Sequence, residues 1–138
     1  MSEISRKCVP FTPLTIDLKD AIIGLVSSAG VHLKSGAAFN VEGDTSFRIL
    51  PHDVKTEELM VTHDHYDHTD ADKDINCVFP IDILRELAEE GFIKGTGNKH
   101  IGFMGFSMRL KDMYEITAPA IAKEVERSNI DAVLLTAG

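Results

Sequence analysis

The sequence predicts an α/β domain whose mainly parallel sheet is flanked by helices, and three observations carry that prediction. Short apolar runs without polar alternation recur along the chain, the mark of strands covered on both faces. Segments with helical spacing lie between them, and glycine, proline or a polar cluster closes each run. In chain order, residues 1–20 read as an extended arm punctuated by Pro10 and Pro13. Residues 21–28 form the first parallel strand, broken by Ala29-Gly30. From 31 to 43 the residues turn small and polar, as in a loop leaving the carboxyl end of a strand, where ligand contacts usually gather. Residues 47–50, ended by Pro51, and 59–62, ended by a cluster of His and Asp, are two further strands. Residues 80–90 read as a helix, with Pro80 in its first turn, Ile83, Leu84, Leu87 and Ala88 on one face, and Gly91 as its stop. A polar turn over 95–100 precedes a strand over 101–105. Residues 113–127 carry Ile116, Ile121 and Val125 at helical spacing, a stripe that predicts core packing, and Pro119 predicts a kink or a late start. Residues 131–136 give the strongest strand signal of all. The order is that of a single Rossmann-like or flavodoxin-like domain over 1–138. Its sheet is expected to be incomplete at the C-terminus, because such a strand normally feeds a crossover helix.

Composition narrows the function classes. A chain of 138 residues holds one domain, and 43% hydrophobic with 26% charged residues fits a packed core better than disorder. A net charge of −8 argues against nucleic acid as a partner. No apolar stretch approaches the ~20 residues that cross a bilayer, and no signal-peptide pattern opens the chain, so a cytoplasmic protein without membrane contact is expected. Two cysteines are too few for a disulfide scaffold. Cys77, followed by the apolar Val78 and Phe79, reads as a small buried hydrophobe, and Cys8 as an exposed residue of the arm.

Several groups suggest chemistry. The run His63-Asp64-His65-Tyr66-Asp67-His68 reproduces the HxHxDH pattern of metallo-β-lactamase-type hydrolases, in which imidazoles two apart share one zinc ion and the following Asp and His hold a second. Such a site needs further ligands well downstream, and after His68 only His100 remains. A metal-dependent hydrolase using His63, His65, Asp67 and His68 is therefore the alternative, and a solvated loop continued by Asp70, Asp72 and Asp74 competes with it. Gly95-Thr96-Gly97 lacks the last glycine of a dinucleotide loop and reads as a turn. Arg48 can grip a carboxylate bidentately, which suits an amino-acid substrate; the structural reading makes Asp44 a turn cap and Arg48 half of a surface ion pair. His32, two residues past Gly30, lies where a strand-end loop puts a general acid, although a satisfied structural role competes. Ser107 is assigned no nucleophilic role.

Three blocks in order carry a family resemblance: Gly30-Val31-His32-Leu33-Lys34, then Gly43-Asp44-Thr45-Ser46-Phe47-Arg48-Ile49-Leu50-Pro51, then Asp74-Ile75-Asn76-Cys77-Val78-Phe79-Pro80-Ile81-Asp82. They resemble the glycine/sarcosine/betaine reductase selenoprotein B family, and the His-rich stretch from His63 to Asp74 looks most like its D-proline reductase branch. In that family a strand similar to 131–136 leads into a redox motif opening with selenocysteine or cysteine, with a second Cys three residues on. The resemblance implies an amino-terminal part of a longer selenoprotein, cut at Gly138 and inactive alone, whose nucleophile follows Gly138. It implies reductive C–N cleavage of an amino acid, D-proline to 5-aminovalerate. A pyruvoyl group on a partner subunit would serve as electron sink, and a dithiol or electron-transfer protein as reductant. Neither a cofactor nor a metal is expected in this chain. Gly30, His32, Asp44, Arg48, His63 and His65 would form the wall around the nucleophile. Arg48, with His63 or His65, would orient the carboxylate or protonate the leaving amine. A non-enzymatic small-molecule binding module is the third reading, and exposed apolar surface on an unfinished sheet would favour a homo-oligomer.

Overall fold

A run of six residues without a charge, Ile22–Ser27, forms strand β1 at the middle of the main sheet, and all but the first are buried. The chain then adds β2 (Val31–Leu33), β3 (Phe47–Pro51), β4 (Leu59–Val61), the short helix α1 (Thr69–Lys73) and helix α2 (Ile81–Glu89). It continues through β5 (Gly95–Thr96), β6 (Lys99–Phe103), the helical turn α3 (Leu110–Asp112), a π-helical turn (Met113–Thr117), α4 (Ala118–Glu126) and β7 (Ala132–Thr136). The computed structural model describes residues 12–138. The expectations for Cys8, for Pro10 and for the first part of the arm lie outside the described residues.

On one side β1 pairs in parallel with β5 at its start and β6 at its end, and on the other with β7, from Ile23 opposite Ala132 to Ser27 opposite Thr136. β3 pairs antiparallel with β6, so the sheet is mixed around a parallel centre and the fold is mixed α/β. β2 and β4 form a separate antiparallel pair. The loop expected over 31–43 therefore opens with a strand. Three residues are too few for a period of two to register in sequence.

Gly30 makes the turn between β1 and β2. Its φ is +78°, its N–H donates to the Phe103 carbonyl, and its own carbonyl accepts from the Thr62 N–H. A Cβ there would run into the Thr62 carbonyl, so glycine is the residue that fits. This turn holds Thr62, and the histidines after it, against the main sheet.

Ile23 and Leu25 join Leu50, Val78, Phe79, Ile81 and Leu84 in one buried core under α2, each large side chain contributing roughly 1.5–3 kcal/mol. Asn76 starts α2 by accepting the Asp82 N–H and donating to the Asp82 carboxylate. At the far end Gly91, φ +78°, is the expected stop. Ser27 Oγ and Thr136 Oγ1 both donate to the Val78 carbonyl, at 2.9 and 2.7 Å, tying the carboxyl ends of β1 and β7 to the segment before α2. Between β5 and β6 the ladder is interrupted, and the Leu25 N–H donates instead to Nδ1 of the buried His100, at 3.0 Å.

Two readings are corrected here. Cys77 is exposed at the end of a 3-10 turn, Ile75–Cys77, while Val78 and Phe79 fill the core beside it. Ile116 is also exposed, because the π-helical turn before Pro119 shifts the helical phase. Pro119 falls in the first turn of α4, directly after the π-helical turn, where a proline's missing N–H goes with a break in the regular α-helical bonding. Ile121 and Val125 line an apolar groove of about 860 Å³ with Val26, Phe103, Val133 and Leu135. Among the described residues no helix is long and apolar enough to cross a membrane.

Candidate functional site

The chain segments that leave the carboxyl edge of the main sheet converge with the one that leaves β4. Ser28 follows β1, Gly105 and Phe106 follow β6, Gly138 follows β7, and His63, His65 and Tyr66 follow β4. Together they line a cavity of about 310 Å³. Crevices at the carboxyl ends of parallel strands are where α/β sheets commonly hold ligands.

Each aromatic group in this wall is held differently. His63 is buried, with its ring centre 4.8 Å from that of Tyr66 in an edge-to-face arrangement, and its Nδ1 accepts the His65 N–H at 3.0 Å. In the neutral ring the proton therefore sits on Nε2. Burial, then the neighbouring His65 and His68, lowers its pKa below the usual histidine range, against the opposing pull of Asp64. The Tyr66 hydroxyl donates to the Ala29 carbonyl at 3.0 Å, and burial, with the Asp72 charge, pushes its pKa up to about 12. A Cβ on Gly138 would overlap the Tyr66 ring, so the end of β7 lies directly against it. His65 is more exposed. Its ring stacks on Phe106, with centres 3.4 Å apart and 16° between planes, and its Nδ1 lies 2.6 Å from Asp64 Oδ1.

The remaining histidine and acid of the HxHxDH run do not line this cavity, although the His68 ring stands 5.8 Å from that of Tyr66. Asp67 accepts both the N–H and the hydroxyl of Thr69 at the start of α1, and these bonds lower its pKa. His68 pairs with Asp72 one helical turn on, at 2.9 Å. One donor atom each from His63, Asp64 and His65 lies within 4.8 Å of the others. Within that group His63 Nδ1 is engaged by a backbone N–H, and His65 Nδ1 lies in charge contact with Asp64. The donor set written for a hydrolase is thus divided between a cavity wall and a helix start.

His32 and Arg48 line a second cavity of about 310 Å³, with Phe47, Ile49 and Leu50. His32 is buried and both its nitrogens are partnered: Nδ1 donates to the Leu33 carbonyl at 2.8 Å, and Nε2 accepts from the Thr62 hydroxyl at 2.7 Å. Arg48 donates to the Ala37 and Ala38 carbonyls and to Ser46 Oγ, lies 3.8 Å from the Asp44 carboxylate and stands 4.3 Å over the Phe39 ring. Its guanidinium folds the loop before β3. Asp44 accepts the N–H groups of Asn40 and Ser46. Burial raises its pKa, but the bonds from Ser46 and Asn40 and the Arg48 charge leave it lowered overall.

Of the residues read as one wall, His63 and His65 meet Gly138, and Gly30 lies beneath His63. His32 reaches that cavity only through Thr62, and Asp44 and Arg48 belong to the other. Sequence reasoning missed Asp64, Tyr66 and Phe106. The first two stand inside the run already singled out, and Phe106 is the first aromatic after a strand that ends at the ligand-binding edge.

A family profile described as Glycine/sarcosine/betaine reductase selenoprotein B matches residues 2–138. The chain belongs to this family. A D-proline reductase subunit gamma from Acetoanaerobium sticklandii is 50% identical over 128 residues, covering 93% of this chain and 53% of that protein. A glycine reductase complex component B subunit gamma from Carboxydothermus hydrogenoformans is 28% identical, covering 93% of this chain and 30% of its own length. A sarcosine reductase complex component B subunit beta from Peptoclostridium acidaminophilum is 23% identical over the same shares. The chain thus spans about half of the first of these relatives and less than a third of the others. The names of these family members are those of components of amino-acid reductase complexes. No solved structure matches the chain.

Proposed function

We propose that this chain is the amino-terminal part of the redox subunit of a D-proline reductase, and that β7 delivers a selenocysteine or cysteine, the residue after Gly138, to the cavity walled by His63, His65 and Tyr66. The observation that carries the reading is that Gly138 lines this cavity and touches Tyr66 at the carboxyl edge of the sheet. The name of the 50% identical relative supports D-proline over glycine or sarcosine as substrate.

A selenol ionises more readily than a thiol, whose pKa is ~8.5, so it supplies the anionic nucleophile at neutral pH. A pyruvoyl group carried by a partner subunit would withdraw electrons from the substrate's α-carbon. His65, which lines the cavity, is exposed, as is Asp64 beside it, and this leaves room for a group brought by a partner. The selenolate or thiolate bonds to the α-carbon as the C–N electron pair leaves with nitrogen, which takes a proton. A second cysteine then attacks the selenium or sulfur, its bond pair to carbon takes a proton, and an external dithiol reduces the resulting Se–S or S–S bond. For a cyclic substrate the amine stays attached, giving 5-aminovalerate. Phe106 and Tyr66 shield the reacting atoms from water, and the neutral His63 offers its Nε2–H as a donor.

The full-length protein, isolated with its partner subunits and supplied with dithiothreitol, is expected to convert D-proline to 5-aminovalerate, measured by chromatography. Glycine, sarcosine and betaine are expected to stay unreacted. Turnover of one of these in place of D-proline overturns the substrate, and reduction of none overturns the reading.

A further inference from the structure

The cavity at Gly138 contains several polar groups, but they differ in whether they can pass a proton. Ser28 carries an aliphatic hydroxyl, which does not ionise near neutral pH. Tyr66 already donates to the Ala29 carbonyl. His63 has Nδ1 occupied by the His65 N–H and its proton on Nε2, in a buried position that disfavours a second proton. His65 has none of these constraints. Asp64 Oδ1 lies 2.6 Å from its Nδ1 as a charge contact, and its stack on Phe106 holds the ring by its face. The carboxylate beside Nδ1 favours the tautomer with its proton there, which leaves Nε2 its lone pair.

An imidazole with one nitrogen beside a carboxylate and the other without a hydrogen-bond partner among the described residues can serve as a general base that becomes a general acid. From this geometry we infer that His65 is the proton carrier of the reductive site, with Asp64 and Phe106 as its positioning residues. The inference rests on the reading that the nucleophile follows Gly138. His65 Nε2 takes the proton of that selenol or thiol, so the two form an imidazolium and a selenolate or thiolate. When the new bond to the α-carbon forms and the C–N bond breaks, the same Nε2–H passes its proton to nitrogen. Asp64 stabilises the cation in the interval. The other titratable groups around His65 are His63, Tyr66 and His68, the last paired with Asp72.

The test uses the full-length protein with its partner subunits and D-proline. Replacing His65 by Gln is expected to lower kcat by about 100-fold or more with KM changed only a few-fold. Imidazole added to the His65→Ala variant is expected to restore a measurable part of kcat, which a merely structural role would not allow. Asp64→Asn is expected to lower kcat by about tenfold with KM changed only a few-fold, because the cationic ring loses the carboxylate beside it. An unchanged kcat in His65→Gln, or a loss that imidazole leaves unrepaired, overturns the assignment. Wild-type protein that fails to reduce D-proline overturns the underlying reading instead, so the two failures are distinguishable.

Discussion

His100 predicts a specific acid sensitivity of the fold. The ring is 1% exposed, its Nδ1 accepts the Leu25 N–H where the β1 ladder is interrupted, and its Nε2 has no hydrogen-bond partner among the described residues. Burial, then the Arg85 and His52 charges, lowers its pKa from 6.5 to about 4. A charged ring would carry a proton on Nδ1 and would break the Leu25 bond. Between these two pKa values the unfolded chain binds more protons than the folded one, so stability falls as pH falls. The difference of 2.5 units, 6.5 minus 4, corresponds to about 3 kcal/mol in full, of which about 2 kcal/mol is lost by pH 5. His100→Asn keeps an acceptor near the Nδ1 position but does not titrate. Urea unfolding of both proteins from pH 7 to pH 4.5 measures the effect, and the comparison cancels the carboxylates whose pKa values are also lowered. The gap in stability between wild type and variant should narrow by about 2 kcal/mol between pH 7 and pH 5. Parallel pH curves for the two proteins would refute the reasoning.

Other outcomes follow from the same geometry. Ser27→Ala and Thr136→Val should each lower stability by about 1 kcal/mol, and the double variant should lose more than the sum, because the buried Val78 carbonyl then keeps neither donor. A double-mutant cycle in urea measures the excess, and strict additivity would contradict the shared acceptor. Arg48→Lys should reduce stability by about 1–2 kcal/mol through the loop before β3, yet leave kcat of the full-length protein within about twofold, since Arg48 lines the cavity away from Gly138. A large loss of kcat with unchanged stability would return Arg48 to the reacting site.

The elements legible in the sequence are those whose local pattern is strong enough to outvote context. β1 and β7 are apolar runs, and α2 has an amphipathic stripe with Gly91 at its end. β2 and β5, of three and two residues, carry too little pattern to register. α1 was hidden in a polar run because its start is made by Asp67 with Thr69, and its buried contribution is Ala71 alone. The antiparallel direction of β3 is set by its pairing with β6, which no local signal encodes. His63 and His65 could be singled out because imidazoles after a strand are chemically conspicuous. The role of Arg48 could not be read, because which carbonyls surround a guanidinium depends on how the 37–46 loop folds. The His65 stack on Phe106 likewise exists only once β4 and β6 end side by side.

The delivery of a redox residue by β7 is tested most directly by alkylation of the native full-length protein. Iodoacetamide at pH 6, followed by peptide mass spectrometry, should place the first adduct on a selenocysteine or cysteine bonded to Gly138, while the exposed Cys77 lags behind. Any other residue at that position, or an adduct on Cys77 with that position unlabelled, would contradict the account.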